Sequence, residues 1–190
     1  PQVRAILERY PQDAQVIGLR IPDVFEAPPD DPEYRWVNYA DPDPGAAGAI
    51  DERVAIPDWS RLDGILRDFP DAAYPGLLPW RPEPDGRYRI GHWWYFLFER
   101  HWQLRGMSNA LMDYHLHPAE THRLFRALTD FYIAMMERAH AELGVDAILT
   151  SDDLGTQKGP FFSPKVFAEF YKPYYREVIG RAHELGMHFW

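Results

Sequence analysis

The sequence predicts an α/β fold, a (β/α)8 TIM-type barrel of which this chain carries an incomplete part, and three features predict it. Short apolar runs suited to strands, at 15–21, 87–93, 145–149 and 187–190, alternate with stretches whose apolar residues recur every three or four positions. One unit occurs twice: Arg138-Ala-His-Ala-Glu-Leu-Gly144 leads into Val145–Leu149, and Arg181-Ala-His-Glu-Leu-Gly186 leads into Met187–Trp190. Helix, Gly stop and apolar strand, twice in succession, imply neighbouring parallel strands joined by a right-handed crossover, with helix 163–185 packed across their outside. The third feature is a change of polarity: Val145–Leu149 runs straight into Thr150, Ser151, Asp152 and Asp153. That is the profile of a buried strand whose carboxyl end carries chemistry, which is where parallel sheets and barrels place it.

In chain order, residues 2–10 read as the end of a helix stopped by Pro11, and 15–21 as the first strand, centred on Val16-Ile17-Gly18-Leu19. Residues 22–57 and 70–86 are irregular Pro-rich excursions. Trp36, Val37 and Tyr39 are too apolar for a solvated tether, so a short hairpin is the most structure expected in the first. Asp58 caps a helix from Trp59 to about Asp68, with Leu62, Ile65, Leu66 and Phe69 inward. Strand 87–93 leads into an aromatic helix, Tyr95–Gln103, which ends at Arg105-Gly106. Ser108 caps a short helix through Asp113-Tyr114, and His117-Pro118 starts a long one that ends at Leu143-Gly144. Its Leu124, Leu128, Phe131, Met135 and Ala139 share one face. Ser163-Pro164 opens the last helix, Ser as N-cap and Pro in the first helical position, and Pro173 is expected to kink it or end its first half. The chain begins at Pro1 and ends in Phe189-Trp190 within an apolar run. The expectation is therefore a single barrel domain over 1–190, cut at both ends.

The bulk numbers exclude several classes. With 190 residues, 46% of them hydrophobic and 26% charged, the chain can build one packed core. A net charge of −9, without any basic cluster, argues against a nucleic-acid surface. The absence of cysteine rules out a disulfide framework or a thiolate metal site within these residues. No apolar run approaches the roughly 20 residues of a membrane span, and no signal peptide is visible, so the expected compartment is the cytoplasm.

Two adjacent carboxylates at the exit of a buried strand must be hydrogen-bonded, paired or wet. Asp152 and Asp153 either cap backbone amides of the following loop or line a pocket, as an acid, a base or the orienter of a bound group. One is expected to face a cleft and the other to accept from the amides of Gly155 or Thr156, because successive strand residues point opposite ways. The loop Gly155-Thr156-Gln157-Lys158-Gly159 would hold an anion with backbone amides and Lys158, although its spacing is not that of a phosphate loop. His92, at the end of a strand, is either an acid, base or ligand contact or a His bonded to a backbone carbonyl. His115, His117 and His122 have poor spacing for a metal, and no metal ligands are assigned within these residues. The aromatic cluster Trp93, Trp94, Tyr95, Phe96, Phe98 and Trp102 either packs a core or leaves room for a flat ligand.

Several segments, taken together, resemble a known family. They are Ser151-Asp-Asp-Leu-Gly-Thr-Gln-Lys-Gly-Pro160, Ser163-Pro164, Phe170-Tyr-Lys-Pro-Tyr-Tyr175, Phe98-Glu-Arg-His-Trp-Gln-Leu-Arg-Gly-Met107 and Leu111-Met-Asp113. In order and spacing, over about residues 85–190, they resemble the uroporphyrinogen decarboxylase superfamily. The resemblance implies a (β/α)8 barrel with a deep cleft at the carboxyl ends of its strands, and an enzyme working there. It implies methyl transfer involving a corrinoid partner protein or, alternatively, cofactor-independent decarboxylation of uroporphyrinogen in tetrapyrrole biosynthesis. Gly91-His-Trp-Trp94 stands where the decarboxylases carry Pro-Trp-Thr, and their Arg-rich amino-terminal substrate loop has no counterpart here, so methyl transfer is the first reading. A non-catalytic barrel that binds a small acidic or tetrapyrrole ligand is a further alternative.

The likeness adds Glu99 to Asp152 and Asp153 as catalytic residues, with His92, Arg105, Thr156, Gln157 and Lys158 as substrate contacts. The aromatic helix would have to end between Glu99 and Arg105 to bring those two together. The methyltransferase branch implies zinc, on a His-x-Cys motif that would follow Trp190, whereas the decarboxylases need no cofactor. The expected partners are a small-molecule substrate, a corrinoid protein and a second copy of the chain, but neither nucleic acid nor membrane.

Overall fold

The computed structural model describes residues 9–10, 12–19, 54–67, 71–79 and 85–190. The strands among them are β1 (Ala14–Gly18), β2 (Tyr88–Trp93), β3 (Ala147–Thr150), β4 (Gly155–Thr156), β5 (Gly159–Pro160) and β6 (His188–Phe189). β4 and β5 form a small antiparallel hairpin, while β1, β2, β3 and β6 make one parallel sheet in that order. Each new strand of this sheet adds beside the last. Barrels wind this way, whereas doubly wound sheets reverse order at a switch point. The described residues form an open arc of four strands and no closed barrel. The repeated helix–Gly–strand unit does give parallel neighbours: Ala147 pairs with His188 and Ile148 with Phe189.

The pleat divides the sheet into two faces. Gly91, Trp93 and Ile148 face the helices, and Trp93 stacks on Tyr132 at 5.2 Å between ring centres. A Cβ on Gly91 would lie 3.0 Å from Ile148 Cδ1 and 3.3 Å from Leu19 Cδ1, so an alanine here would have to push back the ends of both side chains. Val16, Ile90, His92, Ala147 and Leu149 lie on the opposite face, where Val16 is exposed and His92 and Leu149 are half-buried.

The helices are α1 (Leu62–Arg67), α2 (Leu97–Arg105), α3 (Met107–Leu116), α4 (Pro118–Arg138) and α5 (Lys172–Glu184). Asp58 is a cap, its carboxylate accepting from the Ser60 amide at 2.8 Å, and a 3-10 turn, Trp59–Arg61, comes before α1. Asp68 and Phe69 lie outside the described residues, as do most of the helix expected at 2–10 and of the 22–57 excursion. Ser108 is not a cap. Gly106, at φ 81°, makes the break between α2 and α3, and Ser108 falls inside α3.

α4 buries Leu124, Leu128, Phe131 and Met135, as its spacing predicts, and passes into a π turn, Ala139–Leu143, closed by Gly144 at φ 65°. Pro173 stands where the first half of the helical run ends, the second of the two outcomes expected of it. Ser163 caps a single turn, Pro164–Val166, a π turn follows at Phe167–Tyr171, and Pro173 then falls in the first turn of α5, where its missing N–H breaks no bond. Among the described residues no helix is long and apolar enough to cross a membrane.

Candidate active site at the carboxyl ends of the strands

The carboxyl ends of β2 and β3 are held together through the backbone. The Phe96 amide donates to the Ser151 carbonyl at 3.1 Å, and the Tyr132 hydroxyl donates to the Tyr95 carbonyl at 2.5 Å. Between these ties Tyr95 sits at φ 62°, the one non-glycine in the left-handed region among the described residues. The chain then enters α2, whose N-cap residue, Phe96, has no side chain able to satisfy the first amides.

Asp152 satisfies them from the neighbouring strand. Its Oδ1 accepts from the Glu99 amide at 2.9 Å, and its Oδ2 accepts from the Phe98 amide at 3.1 Å and from the Tyr175 hydroxyl at 2.6 Å. A carboxylate at a helix N-terminus also meets the positive end of the helix dipole. Burial nonetheless pushes the Asp152 carboxyl up to about 6, against the lowering effect of Tyr175 and the two amides. Its folded-state pKa therefore exceeds its unfolded one, and its contribution to stability is complete below about pH 4 and is lost as pH rises toward 6. Asp152→Asn, which cannot ionise, is expected to be less stable than the parent at pH 4 by a margin that shrinks by pH 7. Urea denaturation at both pH values measures it, and a margin that widens would refute the assignment.

Glu99 follows on the first turn of α2 with only 9% of its surface exposed. Burial raises its pKa, partly opposed by hydrogen bonds from the Ser151 hydroxyl, at 3.1 Å, and from the Asp153 amide. Asp153 itself is exposed. The pair thus divides as the pleat requires. Asp152 turns inward, although it serves α2 and not the amides of Gly155 or Thr156, and Asp153 faces solvent at the strand ends.

His92 lies on the open face, level with Gly18 and Leu149, and burial lowers its pKa. Its ring meets Trp94 edge-on at 4.5 Å. Thr156, Gln157 and Lys158 are exposed at the β4–β5 turn. The Thr156 hydroxyl donates to the Gly159 carbonyl and accepts from the Lys158 amide, so this loop is a self-bonded hairpin whose Lys158 amide is already engaged.

Arg105 is elsewhere. The helix does not end between Glu99 and Arg105, and α2 carries Arg105 about 9 Å further along its axis by the helical rise. There its Nε and Nη2 grip Asp113 at 2.8 Å each, and its Nη1 donates to the carbonyls of Ile56 and Pro57 at 2.6 and 3.1 Å. Trp59 Nε1 donates to Asp113 at 2.9 Å and His101 Nε2 lies 3.2 Å from it, both on the same buried carboxylate. Arg105 is thus engaged within the helix layer. Its donors are spent clasping residues 56–59 to α2 and α3.

Ser151, Tyr175, Trp94 and Tyr95 belong to the strand-end cluster but were not singled out from sequence as site residues. The signals were present in the aromatic run around Trp94 and in the Pro-Tyr-Tyr of α5.

Two comparisons bear on identity. Residues 102–189 match the family model described as uroporphyrinogen decarboxylase (URO-D). The search of curated proteins gave no match.

Proposed function

We infer the reaction from one premise: the chain belongs to the uroporphyrinogen decarboxylase superfamily. That superfamily is one of enzymes, with decarboxylase and methyltransferase branches. The reading favoured here is transfer of a methyl group from a small donor to a corrinoid partner protein, at the carboxyl ends of the strands.

The observation that carries it is the set of acidic side chains at those ends. Among the described residues they gather Asp152, Asp153 and Glu99, while Arg100 and Arg105 are buried with their guanidiniums engaged in the helix layer. A porphyrinogen bearing several carboxylates needs cations there. A neutral methyl donor, such as an ether or thioether, needs a proton for the heteroatom that departs. Breaking the carbon–heteroatom bond leaves the electron pair on the heteroatom, and the Glu99 carboxyl, whose pKa burial raises, would supply the proton. Asp152 holds α2 so that Glu99 is fixed, and Asp153 meets the donor. The corrinoid would supply the methyl acceptor. Zinc does not fit the residues present: the sequence has no cysteine, and no group of three His, Asp or Glu among the described residues could hold a metal.

The test incubates the protein with reduced cobalamin and a panel of methylated amines, ethers and thioethers, following methylcobalamin by its absorbance, and in parallel with uroporphyrinogen, following carboxyl loss by chromatography. Methylcobalamin formation without decarboxylation is expected. Decarboxylation instead would assign the other branch.

A further inference from the structure

The amino ends of β1, β2 and β3, opposite to the ends that carry Asp152, border an open cavity of about 720 Å³. Its wall includes Asp13, Asp85, Arg87, Arg89, Gly144 and Asp146. Arg89 is 7% exposed, yet among the described residues no carboxylate forms an ion pair with it. Its guanidinium makes one bond, from Nη1 to the Leu143 carbonyl at 3.0 Å, at the end of the π turn after α4. A helix C-terminus carries about half a negative charge, so this contact offsets only part of the guanidinium's. A Cβ on Gly144 would lie 3.4 Å from Nη1, which puts the guanidinium at the cavity wall that Gly144 shares. The Nε–Nη2 edge, the one with which Arg105 grips Asp113, is left without a partner among the described residues.

A buried cation is ordinarily paired, because its desolvation is otherwise uncompensated. The carboxylates around the cavity do not serve this one. Asp85 is taken by Arg87 at 2.6 Å. Asp146 Oδ2 accepts from the Arg89 backbone amide at 2.7 Å, which leaves Oδ1 open among the described residues. The Asp13 carboxylate, exposed just before β1, bonds nothing among the described residues, since the Tyr88 amide goes to its carbonyl. Both signs of charge thus stand open on one wall. A dianion such as phosphate would satisfy Arg89 but face Asp13 and Asp146, and a simple cation would meet the buried guanidinium. A molecule that carries both charges answers both, and its carboxylate matches the planar fork of an arginine with two parallel hydrogen bonds.

We propose that this cavity binds a small zwitterion of the amino-acid class, its carboxylate on the Nε–Nη2 edge of Arg89 and its ammonium toward the Asp13 carboxylate, with Asp146 adding to the negative field. The site lies at the far end of the strands from Glu99 and does not depend on which reaction the protein performs. Glycine, β-alanine, γ-aminobutyrate and ε-aminocaproate, which separate the two charges by increasing lengths, are titrated into the protein, with backbone amide chemical shifts as the readout. One length is expected to bind at least about tenfold more tightly than its N-acetyl and amide derivatives, and to shift the amides of Asp13, Arg89 and Asp146 but not that of Glu99. Arg89→Lys keeps the charge and a donor for Leu143 but loses the fork, and should weaken binding about tenfold. Asp13→Asn should weaken the zwitterion about threefold or more and tighten its N-acetyl derivative, which loses a repulsion, with an unchanged melting curve. That opposite response is one a merely structural aspartate would not give, so Asp13→Asn decides the matter even if Arg89→Lys folds poorly. No binding by any of the four, equal binding of a derivative, tighter binding of inorganic phosphate, or an unaltered preference in Asp13→Asn overturns the proposal.

Discussion

Asp113→Ala is expected to cost about 3–5 kcal/mol, enough to unfold much of a domain whose total stability is about 5–15 kcal/mol. The carboxylate is 1% exposed and accepts two bonds from Arg105 and one from Trp59, with His101 at a fourth contact. Burial alone would raise its pKa. The hydrogen bonds from Arg105, His101 and Trp59 outweigh that and hold it well below the usual carboxylate range. Removing it leaves a buried guanidinium without its counter-charge, which is why the cost exceeds that of an ordinary lost hydrogen bond. Because the folded-state pKa is depressed, the contribution is present above about pH 4 and is lost as pH falls further. Urea denaturation at pH 7 measures the loss, and a change under about 1 kcal/mol would show that the clasp is not what joins residues 56–59 to α2 and α3. A useful second variant removes both partners, Arg105→Met with Asp113→Leu, and should recover much of the stability, since an apolar pair of similar volume avoids the desolvation cost. The exposed pair of Arg126 and Glu177 supplies the contrast: Glu177→Ala should change stability by less than about 1 kcal/mol.

The strands and most helix ends were legible because their determinants are local. Gly144 and Gly186 stop helices at positive φ, and the apolar run before Thr150 is a strand within the span of residues that announces it. Neighbouring order followed from the repeated unit, since short right-handed crossovers leave few alternatives. The site was legible as a place, the polar exit of β3, but the tasks of its residues were not. Asp152 caps a helix that begins 55 positions earlier, and no periodicity encodes which amides a carboxylate will meet across a sheet. Arg105 misled for the same reason. Joining it to Glu99 required a helix end that Gly106 supplies one residue too late, so α2 runs through both and points them to different layers. Ser108 shows the milder form of this error, in which a residue with the right chemistry for a helix start is displaced by a stronger local signal nearby.

Glu99→Gln is expected to lower kcat at least about a hundredfold while leaving the fold intact, the usual loss when a general acid is removed. The substitution keeps the shape and an oxygen that accepts from the Ser151 hydroxyl or the Asp153 amide, so the first turn of α2 keeps its place. What it removes is the proton. Glu99 is suited to hold one because burial raises its pKa and the Asp153 charge pushes the same way, although the hydrogen bonds from Ser151 and the Asp153 amide oppose the rise. The protonated form is the acid, so the rate with a donor whose leaving group must be protonated should fall as pH rises through that raised value. The Gln variant should lose that limb of its pH profile and become flat there. Ser151→Ala should act in the opposite sense on Glu99: it deletes a hydrogen bond that lowers the pKa, which should move the limb to higher pH with a smaller loss of rate. Full turnover in Glu99→Gln, or an unchanged pH limb in both Glu99→Gln and Ser151→Ala, would remove Glu99 from the chemistry and leave it a buried support of the β2–β3 junction.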